Sequence, residues 1–328
     1  MKNKIAVAGC KHTTLDLIKG LQKEGFSIDY VITINSEKAK KHKVAGYFDL
    51  KPYLEEMLIP YYIANNYNLQ SEEDKKNIKN IKIDILLCMG WQRLIPVWFL
   101  DILSVGAFGM HGSNKPLPHG RGRSPLNWSL IQDKKIFITN LFRYNPGMDD
   151  GDIVATQYFE ITSFDDALTL HFKNLVAMIK LCSYALPKII SNDYPRVRQK
   201  ENSKSFYPKR TEDDGLIFWE DATFDIYNLI RAVTKPFPGA FTFYESQNGS
   251  INKLKIWSAI PFDTHLRWDD MNCGQICECF FDGSFIVKTG DTSLLVRKHE
   301  GIEKNEIIKG LMLHSNNILR KQWVNLPR

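Results

Sequence analysis

No uninterrupted apolar run in this sequence approaches the roughly 18–20 residues that a membrane-spanning helix needs, so a membrane protein is not expected. Residues 5–10, Ile-Ala-Val-Ala-Gly-Cys, follow Lys2 and Lys4 and imitate a lipoprotein leader. That run is too short for the core of such a leader and reads as a buried first strand. Cysteine is sparse as well: six residues, mostly scattered through apolar runs. This distribution suits reduced thiols in a cytoplasmic protein better than a disulfide framework. The Cys273-x3-Cys277-x-Cys279 cluster lacks a second close Cys or His pair, so four zinc ligands are not available and no metal is expected. A dinucleotide fingerprint is missing too, because Gly9-Cys10-Lys11-His12-Thr13 stands where Gly-x-Gly-x-x-Gly would follow the first strand. Charge of one sign is also short: 43 basic against 37 acidic side chains leaves a net charge of +6. So mild an excess suits anionic small molecules and nucleic acid alike and does not choose between them.

What is present is length and pattern. The 328 residues suffice for two domains, each with its own core. A strand over 4–10, a helix over 13–23 with Leu15, Ile18 and Leu21 at helical spacing, and a strand over 28–34 form a β-α-β opening. It predicts an α/β fold with a doubly wound parallel sheet. Residues 36–46 read as a basic loop, either a solvated charge run or a phosphate contact. Further helices are expected over 49–57, 71–79 and 165–190, and strands over 59–63, 136–144 and 152–161. The continuous apolar run 83–89 is typical of a strand covered on both faces. Ligands of open α/β sheets gather where strands end, which makes Met89, Gly90 and Trp91 candidate walls of a pocket for a flat ring. The polar segment 196–206 reads as a linker closing a domain over 1–195. Short strand-like runs over 207–300 predict a smaller, mostly-β, OB-like domain, and a helical tail is expected over 301–328.

The central stretch, 109–154, carries the chemistry. His111 ends a short apolar run, a loop rich in Gly, Pro and basic residues follows, and Ser124-Pro125 reads as the N-cap and first residue of a helix. A strand-like run then ends in the acidic turn 146–152.

In this order of parts the sequence resembles the 10-formyltetrahydrofolate-dependent formyltransferases. Their pattern is Asn-x-His-x-Ser-Leu-Leu-Pro-x-x-Arg-Gly with a distal Gly-x-Asp-x-Gly-Asp. His111, Ser113, Pro118, Arg121-Gly122 and Gly147-x-Asp149-x-Gly151-Asp152 fall on it in order. Two features depart from it. The loop after His111 is two residues longer, and Gly109 stands at the asparagine position. Arg210-Thr-x-Asp-Asp-Gly215, Ile230-Arg231-Ala232 and Pro236-x-Pro238-Gly239-Ala240 resemble the family's C-terminal domain, so the likeness spans nearly the whole chain.

The resemblance implies formyl transfer to an amine through a tetrahedral intermediate, with 10-formyltetrahydrofolate as donor. Such a reaction needs a group to move a proton and donors for an oxyanion. His111 and Asp149 are the expected proton-transfer pair, with Asp149 orienting the ring. Asn114 is the candidate to replace the missing asparagine, against a backbone N–H near Gly112. Met89, Gly90, Trp91, Pro118, Arg121, Gly147 and Asp149 are expected to hold the folate, and Lys11, His12 and Arg123 the acceptor. The acceptor favoured is a nucleotide-linked amino sugar, since the loop variant resembles relatives in surface-polysaccharide synthesis. Initiator methionyl-tRNA, a carrier-bound aminoacyl group and a non-catalytic binding role are the rivals. Oligomeric state stays open, a homodimer included.

Overall fold

The computed structural model describes residues 3–324, 326 and 327, the side chain of Glu201 excepted. Lys2 of the leader-like opening, and Asn325 and Arg328 of the expected tail, lie outside the described residues. The first half runs β1 (Ile5–Ala8), α1 (His12–Lys23), β2 (Tyr30–Thr33), α2 (Ser36–Lys41), α3 (Lys51–Glu56), β3 (Tyr61–Ile63), α4 (Glu72–Ile81), β4 (Ile85–Cys88), α5 (Val97–Asp101) and β5 (Gly106–Ser113). It continues through β6 (Arg121–Gly122), α6 (Pro125–Ile131), β7 (Ile136–Arg143), β8 (Ile153–Glu160) and the long helix α7 (Ala167–Ile190).

Seven of these strands form one sheet in the order β3-β2-β1-β4-β5-β7-β8. The chain winds outward from β1 to β3, then returns to β4 on the other side of β1, which makes a doubly wound sheet. Only five strands are parallel, however. β7 runs antiparallel to β5, and β8 antiparallel to β7. The acidic turn accounts for β8, since a connection that short joins only antiparallel neighbours; β7 is reached from β5 through the longer connection that carries β6 and α6. Strands β1 and β4 are buried on both faces, as their unbroken apolar runs predict. Ile5, Val7, Ile85 and Leu87 pack with α1 and α7 on one face; Ala6, Ala8, Leu86 and Cys88 pack with Ile78 of α4 and Phe99 of α5 on the other.

Local chemistry explains two of the helix starts. Asn35 caps α2 by accepting from the Lys38 amide at 3.0 Å, so half of the expected basic loop is helical. Asp166 caps α7 in the same way, accepting from the Thr169 amide at 2.9 Å. Ser124 does stand before Pro125 at the head of α6, but with φ of +54° and no capping hydrogen bond.

The second half holds β9 (Phe206–Tyr207), α8 (Thr223–Val233), β10 (Ala240–Glu245), β11 (Ile251–Asp263), β12 (Ile276–Cys279), β13 (Phe285–Lys288), β14 (Ser293–Glu300) and β15 (Leu313–His314). Six of these strands make an antiparallel sheet, β12-β13-β14-β11-β10-β15. Ile226 and Ile230 of α8 join its apolar face to Leu126, Leu130 and Leu170 of the first half. Buried Arg231 fastens the same junction, donating to the carbonyls of Thr162 and Asp165 at 2.9 Å each. The expected helical tail is absent among the described residues, where 301–324 hold a single 3-10 turn (Lys304–Glu306) and β15. Gly310, Asn316 and Asn317 take left-handed φ values of +89°, +53° and +55°, which stop a helix. Ion pairs pin the segment instead, Arg320 to Asp221 at 2.7 Å and Lys321 to Asp214 at 3.0 Å.

Candidate active site

The strand order reverses between β1 and β4, so the crevice beyond their carboxyl ends is where this topology offers a ligand site. Lys11 follows β1, and Met89, Gly90 and Trp91 follow β4. Thr14 of α1 donates to the Met89 carbonyl at 2.7 Å and ties the two strand ends together. Gly90 turns the chain with φ of +85°, a conformation that favours glycine. The side chains of Met89 and Trp91 pack into the cores on opposite faces. Trp91 leaves its indole N–H buried without a partner, and a buried donor in that state is costly unless a ligand or water meets it.

One strand further along, β5 pairs with β4 so that Gly109 lies beside Cys88. His111, at the end of the apolar run, lies within this strand, two residues before its end and opposite Asn140 of β7. Its Nδ1 is 3.4 Å from Oδ2 of Asp149, and its Nε2 is 2.7 Å from the Gly120 carbonyl. Both ring nitrogens therefore face acceptors. A neutral imidazole has one N–H and satisfies one of them; the protonated ring satisfies both. Asp149 holds its place in a left-handed conformation, φ +52°, and its carboxylate accepts from the Gly122 amide at 3.4 Å. The pair is mostly buried, His111 at 9% and Asp149 at 18% side-chain exposure, which strengthens their interaction over a surface ion pair.

With that geometry, the match to known families is decisive. Residues 2–178 match the family described as Formyl transferase, and residues 209–311 match Formyl transferase, C-terminal domain. The chain belongs to the formyl transferase family. Solved structures share its fold at low identity. The N-formyltransferase from Helicobacter canadensis, in complex with folinic acid and dTDP-3-aminofucose, is 20% identical with a TM-score of 0.63, over 91% of this chain and 100% of that one. WlaRD, a sugar 3N-formyl transferase determined with dTDP and 5-N-formyl-THF, is 18% identical with a TM-score of 0.63, over 92% and 99%. HypX from Aquifex aeolicus is 14% identical with a TM-score of 0.64; 92% of this chain is covered, but only 45% of that one.

The other candidate residues have these surroundings. Arg121 is 3% exposed, and its guanidinium donates to Gln199 Oε1 at 2.7 Å. Gln199 in turn donates to the carbonyls of Asp149 and Gly151 at 2.8 and 2.7 Å. Arg121 is therefore a clamp on the acidic turn, reached through a residue from the stretch read as a linker. Nothing in that polar stretch singles out Gln199. Pro118 is buried and its carbonyl accepts from the Ser205 amide at 3.3 Å. Gly147 faces the Asp150 carboxylate so closely that a Cβ there would lie 2.0 Å from Oδ2. Asn114 accepts from the Tyr207 hydroxyl at 3.2 Å, and no hydrogen bond joins it to His111 or Asp149. His12 is exposed and pairs with Asp16 at 2.7 Å, on its own helix. Among the described residues no group of three or more His, Cys, Asp or Glu could hold a metal, and no helix is long and apolar enough to cross a membrane.

Lys11 and Arg123 behave differently. Among the described residues, neither side chain has a carboxylate or other hydrogen-bonding partner. Burial pushes the Lys11 ammonium below its ordinary pKa; the Cys10 thiol opposes this and the Arg123 charge adds to it. Lys11 is half-buried and Arg123 exposed, and two cations without a partner that feel each other's charge suit an anion. The Lys11 charge also acts on His171 of α7, whose pKa is lowered to about 4, chiefly by burial. Between about pH 6.5 and 4 the unfolded chain takes up a proton that the folded one refuses, so stability falls as pH falls through that window. The loss is of order 3 kcal/mol. A His171→Gln variant should lose less stability than wild type between pH 7 and 4, measured by urea unfolding; parallel acid limbs would refute this.

Proposed function

We propose that this formyltransferase moves a formyl group from 10-formyltetrahydrofolate to the primary amine of an amino sugar carried on a nucleotide. The observation that carries the reading is the His111–Asp149 pair at 3.4 Å beside the switch crevice, with Lys11 past the end of β1 and Arg123 one residue past the Gly122 amide that binds Asp149. Relatives of the same fold were determined with a folate and with dTDP or a dTDP-amino sugar, which favours the same acceptor class here. The buried, partnerless indole N–H of Trp91 and the backbone at Gly90 fit a ligand rich in ring nitrogens and carbonyls, as the pterin is. Lys11 and Arg123 fit the diphosphate.

In the transfer, the acceptor nitrogen's lone pair bonds to the formyl carbon, and the carbonyl electron pair moves onto oxygen. The nitrogen's surplus proton passes to the His111–Asp149 pair, with Asp149 stabilising the cationic ring. The oxyanion then re-forms the carbonyl as the carbon–N10 bond breaks, and N10 leaves carrying the proton as tetrahydrofolate. Atoms and charge balance without metal or redox partner.

The test is tetrahydrofolate release with a panel of amino-sugar nucleotides and with methionyl-tRNA. Turnover on a sugar nucleotide is expected, with Lys11→Met and Arg123→Met each raising its KM about tenfold, the scale of one charge-assisted hydrogen bond. Turnover of tRNA alone would reject the sugar reading. The tRNA reading has one observation in its favour, the exposed Lys40, Lys41 and Lys43 in and after α2. Failure to bind any folate would reject formyl transfer altogether.

A further inference from the structure

A tetrahedral oxyanion needs hydrogen-bond donors in fixed positions, and both ring nitrogens of His111 already face acceptors. His111 Nε2 is bound to the Gly120 carbonyl and Nδ1 faces Asp149. Position 109 lies two residues before His111 on β5, so the two point to the same face of the sheet. Gly109 has no side chain to offer from there. The space its side chain would take is filled, however. A Cβ on Gly109 would lie 2.2 Å from Cε2, 2.8 Å from Cζ and 2.8 Å from the hydroxyl oxygen of Tyr144. The phenol therefore reaches the place where a short polar side chain at 109 would end.

From this juxtaposition we infer that the Tyr144 hydroxyl donates to the developing oxyanion, supplying from the end of β7 the hydrogen bond that position 109 cannot.

Four features support it. The tyrosine is held in register, because its amide donates to the Ala107 carbonyl at 2.8 Å, two residues before Gly109. The ring is fixed by packing on Phe142, centroids 5.2 Å apart, within the cluster that holds Cys88, Trp91 and Ala107. Its hydroxyl makes no hydrogen bond among the described residues, so the donor is unspent. Finally, burial, the Cys88 thiol and the Asp149 carboxylate push its pKa well above the ordinary tyrosine value. The group thus stays protonated and able to donate, and it lies within electrostatic reach of Asp149. Gly109 and Tyr144 form a matched pair: any larger residue at 109 would displace the ring.

The inference rests on the formyl-transfer reading, and the experiment separates the two. Tyr144→Phe keeps the ring and removes only the hydroxyl. With saturating formyl donor, kcat is expected to fall about 100-fold, the scale for loss of one oxyanion donor. KM for the donor should stay within about threefold, and Tm should not drop, because the hydroxyl has no hydrogen-bond partner among the described residues. A purely packing role predicts the opposite pattern, unchanged kcat. The paired rescue is Tyr144→Ala/Gly109→Asn, which clears the ring and returns an amide to its place; it should recover at least tenfold over Tyr144→Ala. Transfer by wild type that survives Tyr144→Phe within threefold overturns the Tyr144 assignment and leaves formyl transfer standing. The slow hydrolysis of 10-formyltetrahydrofolate passes through the same oxyanion with water as acceptor. Wild type that neither transfers to any acceptor nor hydrolyses the donor overturns both.

Discussion

Turnover is expected to fall about 10²-fold or more in His111→Asn and in Asp149→Asn, the general scale for a group that moves a proton in the transition state. Asp149→Asn is isosteric and His111→Asn shortens the side chain without adding bulk, so with the fold confirmed a loss of this size would report chemistry. The double variant should lose little beyond either single one. A histidine without its carboxylate and a carboxylate without its histidine are each half of one device, and such pairs are far from additive. The geometry adds a constraint. His111 Nε2 is 2.7 Å from the Gly120 carbonyl, a contact the shorter side chain of the His111→Asn variant does not reach, and an amide cannot shuttle a proton to Asp149. The measurement is kcat at saturating formyl donor, with Tm and circular dichroism confirming the fold. Near-wild-type turnover in either single variant would remove that residue from the mechanism, and strictly additive losses would mean that the two act separately.

How much of this was legible in the sequence depends on what kind of signal each part carries. β1 and β4 announce themselves because strands buried on both faces are apolar throughout. His111 and Asp149 are legible through the order of the motif around them, although 38 positions separate them. Direction is another matter: nothing in the composition of 136–144 says that β7 runs against β5. Nor does polarity reveal burial. Gln199 sits among Arg196, Arg198 and Lys200 in a stretch with the composition of a linker, yet it is 5% exposed and joins Arg121 to the acidic turn. Arg121 is ambiguous in the sequence for the converse reason, since a guanidinium suits a phosphate or a buried amide oxygen equally well. The expected helical tail is broken at Gly310, Asn316 and Asn317, whose left-handed φ values no helix admits. Tyr144 closed a readable strand, but only the three-dimensional coincidence with Gly109 gives it a meaning.

The acidic turn should prove the least forgiving backbone in the molecule. Gly151 does not take a left-handed φ, so alanine could adopt its conformation. The obstacle is space. A Cβ there would lie 1.5 Å from the Arg143 carbonyl oxygen, a backbone atom at the end of β7 that cannot rotate away. Gly147 provides the control, because a Cβ there meets Oδ2 of the Asp150 side chain at 2.0 Å, and a carboxylate can swing aside. Gly151→Ala must therefore push the turn off β7, and Asp149 lies two residues away. It would also move the Gly151 carbonyl from Gln199, which donates to it at 2.7 Å and to the Asp149 carbonyl at 2.8 Å. A displacement of about 1 Å in a catalytic group can cost about 10²-fold in rate, and that is the loss expected in kcat for Gly151→Ala. Overpacking of this kind destabilises by about 1–3 kcal/mol or more, so Tm should fall by several degrees while the protein still folds. Gly147→Ala should retain at least tenfold more activity than Gly151→Ala. Equal turnover in the two variants would show that the turn relaxes without moving Asp149, and the close approach of Gly151 to β7 would then have no part in placing the carboxylate against His111.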